Sequence, residues 1–274
     1  MLYPMRYVRL SLCILAALAV AAPLSAQAKK KHLLAIGEVK GFEHDSVSHA
    51  LATIERLGRE SGVWDTYIRT DTELITKKDL GRNAKNLNYF DAVLFYTTGE
   101  LDMDDQQKAD LLSFVHDDGK GFVGVHSAID TFYKWPEYGE MVGAYFNDHP
   151  WMVFDAPVIV EDPSFPAMKP FPHAFTFRDE IYQVKDFDRS KVNVLASLDA
   201  SKLDLKNPRV KRTDRDFPVA WSKMYGNGHV FYCTFGHREE TWDDPRIQQM
   251  YTDAIKWAMG IIPGSTTSHP NPAK

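Results

Sequence analysis

The sequence predicts an α/β domain built around a mostly parallel β-sheet. Its first half alternates short apolar segments with amphipathic helical stretches, which implies right-handed crossovers between parallel strands. Its second half is a run of strand-like segments with a hairpin signal, which implies that the sheet is completed by an antiparallel extension. Between the two, Gly121-Phe122-Val123-Gly124-Val125-His126-Ser127-Ala128 reads as a buried strand ending in a sharp turn of small residues. Such a turn sets a functional side chain at the carboxyl end of its strand.

Leu33-Leu34-Ala35-Ile36 has the composition of a buried strand, and Gly37 to His44 follows as a loop. Asp45 is placed to cap a helix running to about Glu60, with Val47, Leu51, Ile54 and Leu57 at helical spacing; Gly62 stops it. Val63 to Ile68 and Ala92 to Tyr96 are the next strands. An acidic-started helix from Asp102 to Val115 turns Leu111, Leu112, Phe114 and Val115 inward and closes at Gly119. Further strands are expected over Val153–Val160, Ile181–Val184, Val192–Leu198, Pro218–Met224 and Val230–Phe235, with Gly226-Asn227-Gly228 as the hairpin turn. A last helix, Pro245 to Met259, is capped by Asp244 and buries Ile247, Met250, Tyr251, Ala254, Ile255 and Trp257.

The 274 residues carry a net charge of -5. Arg6 and Arg9, the apolar run Leu10 to Ala22 and the small-residue site Ala26-Gln27-Ala28 make residues 1–28 an expected signal peptide. Its removal leaves 246 residues at a charge of -7, one domain over 29–262 and a polar, turn-rich tail over 263–274 that is expected to be flexible. The mature protein is then periplasmic or secreted, with no membrane association after cleavage. Cys233 is its only cysteine, so no internal disulfide forms. An acidic chain without a basic run excludes nucleic acid as a partner, and no nucleotide-cofactor motif is evident.

The topological rule for α/β sheets collects the residues after each strand on one rim. His44 follows the first strand, Glu100 the third, His126 and Asp130 the fourth, and His237 the last hairpin strand. His149, before Pro150, joins this set. A neutral imidazole binds metal or moves protons near neutral pH but cannot replace the nucleophile of an acyl-transfer triad. No pair forms a compact metal motif, so a divalent ion would need ligands from distant segments, with His44, His126 and His237 as the expected set. Glu180, opening an apolar strand, reads either as a solvated turn or as a general base. Tyr133 and Trp135, in a proline-containing loop, are candidates for stacking on a sugar ring.

Several segments match one family in order and spacing. They include His44-Asp45-Ser46, Gly119 to His126, Tyr138 to Phe146, His149-Pro150, Asp179-Glu180-Ile181-Tyr182, Pro218-Val219-Ala220-Trp221, Tyr225 to Tyr232, Gly236-His237 with Trp242, and Trp257-Ala258. The chain resembles the ThuA-like, trehalose-utilisation family from about Leu33 to Gly260. The resemblance implies a flavodoxin-like, class I glutamine amidotransferase-like three-layer sandwich. It puts His126 where an amidotransferase has its cysteine, and His237 with Glu239 at the position of that fold's His-x-Glu pair. Where many relatives have His-Pro, this chain has Phe165-Pro166, which leaves His173 as a nearby substitute.

What the resemblance implies for function is carbohydrate metabolism through 3-keto-sugar intermediates. The expectation is an exported enzyme on a disaccharide or 3-keto-glycoside, not a glutamine amidotransferase. His126, His237, Glu180 and Asp130 would move protons, Glu100, Tyr133, Trp135, His149 and Glu239 would bind substrate, and a divalent metal would assist. Isomerisation, elimination and hydrolysis all remain open. The alternative is a secreted sugar-binding module with a retired pocket; an amidase would require Ser127 as nucleophile.

Overall fold

A computed structural model describes residues 29–81 and 84–271, together with Met1. Apart from Met1, the expected signal peptide lies outside the described residues. No helix among the described residues is long and apolar enough to cross a membrane.

The first half runs β1 (Lys31–Ile36), α1 (Ser46–Ser61), β2 (Trp64–Arg69), β3 (Ala92–Phe95), α2 (Asp105–His116), β4 (Gly121–Val125) and α3 (Pro136–Val142). The second half runs β5 (Tyr145–Asp148), β6 (Val153–Val160), β7 (Ala174–Glu180), β8 (Gln183–Lys185), β9 (Asn193–Leu198), β10 (Pro218–Tyr225), β11 (Gly228–Cys233), α4 (Glu239–Asp243) and α5 (Pro245–Ala258). The main sheet has the order β2-β1-β3-β4-β11-β10-β9-β6-β7. The first five strands pair in parallel and the rest alternate antiparallel.

Strand side chains alternate between faces, so each buried strand feeds two cores. Leu33 and Ala35 of β1 join Ala50, Leu51 and Ile54 of α1 and the apolar side of α5. Leu34 and Ile36 join Leu111, Phe114 and Val115 of α2 and Tyr138, Met141 and Val142 of α3. The result is the expected three-layer sandwich. All six residues assigned to the inward side of α5 are buried, and Asp244 caps it through the Arg246 N–H at 2.8 Å.

Several expectations are corrected. Asp45 precedes α1 but makes no side-chain cap; the Ser46 hydroxyl is instead buried against Tyr96 and the Gly236 carbonyl. A strand was expected over Ile181–Val184, but β7 ends at Glu180 and β8 starts at Gln183. The acidic pair Asp179-Glu180 therefore closes a strand rather than opening one. In the tail, the Ser265 carbonyl accepts from Asn193 and Ser222, and His269 bonds the Val194 carbonyl at 2.9 Å. Phe165 and His173 sit away from the sheet's carboxyl rim. Phe165 packs between Phe231 and Trp257, and His173 bonds the Val160 carbonyl.

The β6–β7 ribbon shapes the site. β7 pairs with β6 along Val153–Ile159, whereas β6 pairs with β9 only through Val158–Val160. The free length of ribbon leaves the sheet, and its far end carries Asp179 and Glu180 back to the carboxyl rim of β11, where the Gly236 N–H donates to Asp179 at 2.8 Å.

At Gly121 an added Cβ would lie 2.5 Å from the backbone oxygen of Ala258, so β4 meets α5 with no space for a methyl group. Gly121→Ala is expected to destabilise the fold by about 1–3 kcal/mol or more, measured by urea denaturation.

Candidate functional site

Four imidazoles converge from separate segments. His44 leaves the loop after β1, His126 the turn after β4, and His237 the turn after β11, where three parallel strands end. His149 comes from the connection between β5 and β6. Glu180, at the end of β7, lies among them. Its Oε2 is 3.2 Å from His237 Nδ1 and 3.7 Å from His126 Nε2, and its Oε1 is 3.5 Å from His149 Nδ1. One donor atom from each of His44, His126, Glu180 and His237 falls within 4.8 Å of the others.

The ring orientations are set by the backbone. His126 Nδ1 lies 2.6 Å from the Thr234 carbonyl, so that nitrogen carries the proton and Nε2 keeps its lone pair. Nε2 points into the cluster, 3.3 Å from His237 Nδ1. His126 also has φ +44, a left-handed conformation that the turn after β4 imposes on a residue with a side chain.

His237 is fixed through its neighbour Gly236. The Gly236 carbonyl accepts from Tyr96, Ser46 and Trp242, and its N–H is held by Asp179. Its φ of +143 is open to glycine and strained for other residues. Asp179, fully buried, also accepts from the Glu180 N–H and the Thr241 hydroxyl. Burial pushes its carboxyl up to about 6, against the pull of those three hydrogen bonds.

Burial, reinforced by His237, pulls the His44 ring down to about 4. Burial and the neighbouring rings hold His126 well below the usual histidine value. Burial also lowers His237, but the hydrogen bond and charge of Glu180 outweigh it, and that ring is raised. Two rings are therefore neutral at pH 7 and the third is the natural proton holder. Asp130 is raised by burial, with the Tyr133 hydroxyl donating to its Oδ1 at 2.5 Å.

The cluster opens into a cavity of about 520 Å³ lined by His44, Asp130, His149, Glu180, Tyr182 and His237, with Phe42, Phe146, Met152 and Val153 as apolar wall. That volume is ordinary for a small-molecule site. Tyr182 packs over His126, with ring centroids 4.2 Å apart.

The donors fit a divalent transition metal. Tetrahedral ligands at 2.0–2.2 Å would be separated by roughly 3.3–3.6 Å, close to the 3.2, 3.3 and 3.7 Å found among His237, His126 and Glu180. Buried His44 Nδ1 has no hydrogen-bond partner. A set of three imidazoles and one carboxylate suits zinc-like ions rather than magnesium or calcium, which prefer oxygen.

Of the residues singled out from sequence, His44, Asp130, His149, Glu180 and His237 line the cavity, and His126 forms its buried floor. The others fall elsewhere. Glu100 is exposed and accepts from the Lys134 N–H. Trp135 is packed between Phe132 and Tyr138. Glu239 is exposed at the start of α4, and the carboxylate facing His237 is Glu180, so the expected His237–Glu239 pairing is replaced. Tyr133 lines a second cavity and touches the walls of the first through its hydroxyl, which donates to Asp130 and to the Phe146 carbonyl. Asp179, Tyr96, Ser46 and Tyr182 were missed. Asp179-Glu180-Ile181-Tyr182 was visible as a motif, but nothing in it distinguishes the carboxylate that faces the rings from the one that holds the backbone.

Among the described residues no hydrogen-bonded base stands beside Ser127 or Cys233. The Ser127 hydroxyl is buried without a hydrogen-bond partner, and Cys233 is buried with its thiol pushed up by desolvation.

A model of the family described as ThuA, trehalose utilisation, matches residues 32–258. The chain belongs to the ThuA family. Among curated proteins none matches it. A ThuA-like protein from Bacteroides uniformis is 21% identical with a TM-score of 0.68, over 86% of this chain and 95% of that one. Another from Parabacteroides merdae is 17% identical with a TM-score of 0.67, over 88% and 98%. A Thermoplasma acidophilum protein described as part of a GMP synthase is 10% identical with a TM-score of 0.51, over 85% and 96%. These likenesses share the fold. Within the ThuA chain described here, His126 takes the strained turn after β4.

Two outcomes are expected. In cation-free protein, His44 and His126 bind protons in the unfolded state below about pH 6.5 but resist them when folded. The two rings therefore lower stability on acidification from about 6.5 towards 4 with a slope of up to about 2.7 kcal/mol per pH unit, offset in part below about 6 by Asp179, whose raised carboxyl takes a proton first in the folded state. His237 contributes the opposite sign, and its stabilisation is lost as pH rises through its raised value. Chemical denaturation at stepped pH reads both limbs. Separately, Asp179→Ala leaves three buried donors unpaired and is expected to cost about 3–5 kcal/mol in the same measurement.

Proposed function

We propose that this protein is an exported enzyme of carbohydrate metabolism that acts on a disaccharide or its 3-keto derivative. The proposal rests on one observation above the rest: a buried His44–His126–Glu180–His237 cluster opens into a cavity that holds two further proton carriers, His149 and Asp130. The trehalose-utilisation family supports a sugar as substrate. Export is supported by Arg6, Arg9, the apolar run to Ala22 and the site at Ala28.

His44, His126, Glu180 and His237 would hold a divalent cation. When bound, it supplies Lewis-acid stabilisation of negative charge developing on substrate oxygen. The chain's own residues supply the rest. A carbonyl at ring carbon 3 acidifies the hydrogen on carbon 2. His149, at the cavity wall and outside the cation-binding set, takes that proton. The electron pair of the broken C–H bond forms a double bond to carbon 1 as the glycosidic C–O bond breaks. Asp130, whose carboxyl is raised by burial, gives a proton to the departing oxygen. Reprotonation at carbon 3 instead, with the hydroxyl proton of carbon 2 passing to the oxygen of carbon 3, moves the carbonyl to carbon 2 and gives isomerisation, and addition of water to the elimination product gives net hydrolysis. The three outcomes share their first step. Tyr133 keeps Asp130 oriented, and the apolar wall limits competing water.

Elemental analysis of the purified protein is expected to find close to one divalent transition metal per chain. Incubation with 3-keto-disaccharides, followed by mass detection, is expected to give cleaved or isomerised sugar. His149→Gln should lower turnover about a hundred- to ten-thousand-fold with metal content intact. His126→Ala and His237→Ala should lose both metal and turnover. Saturable sugar binding without turnover in the metal-loaded protein would instead establish the non-catalytic binding module.

A further inference from the structure

The rim of the cavity carries two exposed apolar side chains that the proton chemistry does not use. Phe42 is 65% exposed and Met152 is 49% exposed, and both line the cavity. Isolated exposed apolar residues need no explanation. These two differ because each is held by a specific local structure.

Phe42 sits in the loop between β1 and α1. Its carbonyl accepts from the Thr98 hydroxyl at 2.8 Å, and its ring stands edge-on to His44 with centroids 4.8 Å apart. The loop lies against Gly99, where a Cβ would be 2.7 Å from the Lys40 carbonyl carbon. Gly99 itself has φ +83 and bonds the Asp130 carbonyl. The backbone that presents Phe42 is thus docked on the strand that leads to the site.

Met152 has φ +51, a costly conformation for a residue with a side chain. The turn is closed by its N–H to the His149 carbonyl, and its sulfur lies 3.0 Å from Arg209 Nη1 and 3.1 Å from His149 Nδ1. Arg209 also bonds Asp148. An extended loop therefore pins a strained backbone in order to hold an exposed thioether beside the cavity.

We infer that Phe42 and Met152 form a second sugar subsite, which takes the pyranose ring that does not react. This rests on the reading above, in which the reacting ring lies over the histidines. A pyranose presents an apolar C–H face that stacks on an aromatic ring and packs against a polarizable thioether. The polar groups of the cavity lie below the rim, so they fit the reacting ring, and the rim fits the second. The substrate is then a disaccharide held at both rings rather than a free monosaccharide.

Calorimetric titration of the metal-loaded full chain with a disaccharide and with its component monosaccharide tests this, using the parent protein, Phe42→Ala and Met152→Ala. The parent is expected to prefer the disaccharide. In Phe42→Ala the ratio of disaccharide to monosaccharide affinity should fall roughly tenfold, and in Met152→Ala it should fall by a smaller factor. Unchanged metal content shows that the cluster is intact. An unchanged ratio in both variants overturns the subsite and leaves the sugar reading standing. Failure of the parent protein to bind either sugar overturns both.

Discussion

A carboxylate set among imidazoles in the protein interior governs this structure. Glu180 is only 5% exposed, and its nearest polar neighbours are the rings of His237, His149 and His126. A buried anion without compensation costs several kcal/mol. Compensation here is a proton on His237 or a cation shared by the cluster. Neither is available until β1, β4, β7 and β11 have delivered their carboxyl ends to one rim. The site and the topology therefore form together, and the β6–β7 ribbon, which leaves the sheet to bring Glu180 in, is as much a part of the site as the histidines.

The surrounding network restricts movement in that cluster. Three donors converge on the Gly236 carbonyl and Asp179 holds its N–H, so the backbone that aims His237 is determined by buried groups from α1, β3, β7 and α4. On the other side, the Thr234 carbonyl fixes the tautomer of His126. Supporting hydrogen bonds of this kind orient ligands and raise their basicity. The strain at His126 is retained because both ends of its turn are buried among β4, β11 and Tyr182. The two carboxylates of the cavity are meanwhile kept in different company. Glu180 faces imidazoles, and Asp130 faces a phenol and has its carboxyl raised by burial.

Much of this was legible in the chain. Periodicity located α1, α2 and α5 but neither α3 nor α4, and the rule that ligand residues follow strand ends placed His44, His126 and His237 on one rim. It misjudged Glu100, which follows β3 on the same rim but stays in solvent bonded to Lys134, because the rule fixes an edge and not a direction. Trp135 fails for a related reason: a large ring beside a proline looks the same in sequence whether it stacks on a ligand or on Phe132 and Tyr138. Glu180 could not be ranked above its neighbours because its role depends on how far the β6–β7 ribbon runs free of β9. The alternation of Phe175 and Phe177 was the available signal for that strand, and it points to β7 without showing where the ribbon bends. The tail's contacts to Asn193, Ser222 and Val194 were not legible in its turn-rich composition because they are long-range.

The same sharp turn that exposes a nucleophile in the amidotransferase fold here holds a ring, and this changes what the pocket can do. A thiol there would need only a base and an oxyanion site. An imidazole with Nδ1 committed to a carbonyl offers one lone pair, which is useful to a cation or a proton but forms no acyl intermediate with the geometry of a triad. The remaining hydroxyl and thiol do not restore it, because Ser127 has no hydrogen-bonded base and Cys233 is sealed on the α5 side of the sheet. With no nucleophile at this position, what the turn contributes is rigidity. A strained, buried backbone holds Nε2 within 3.3–3.7 Å of two other donors that arrive from β7 and β11. Rigidity that would serve bond formation at a thiol therefore serves the placement of donor atoms here.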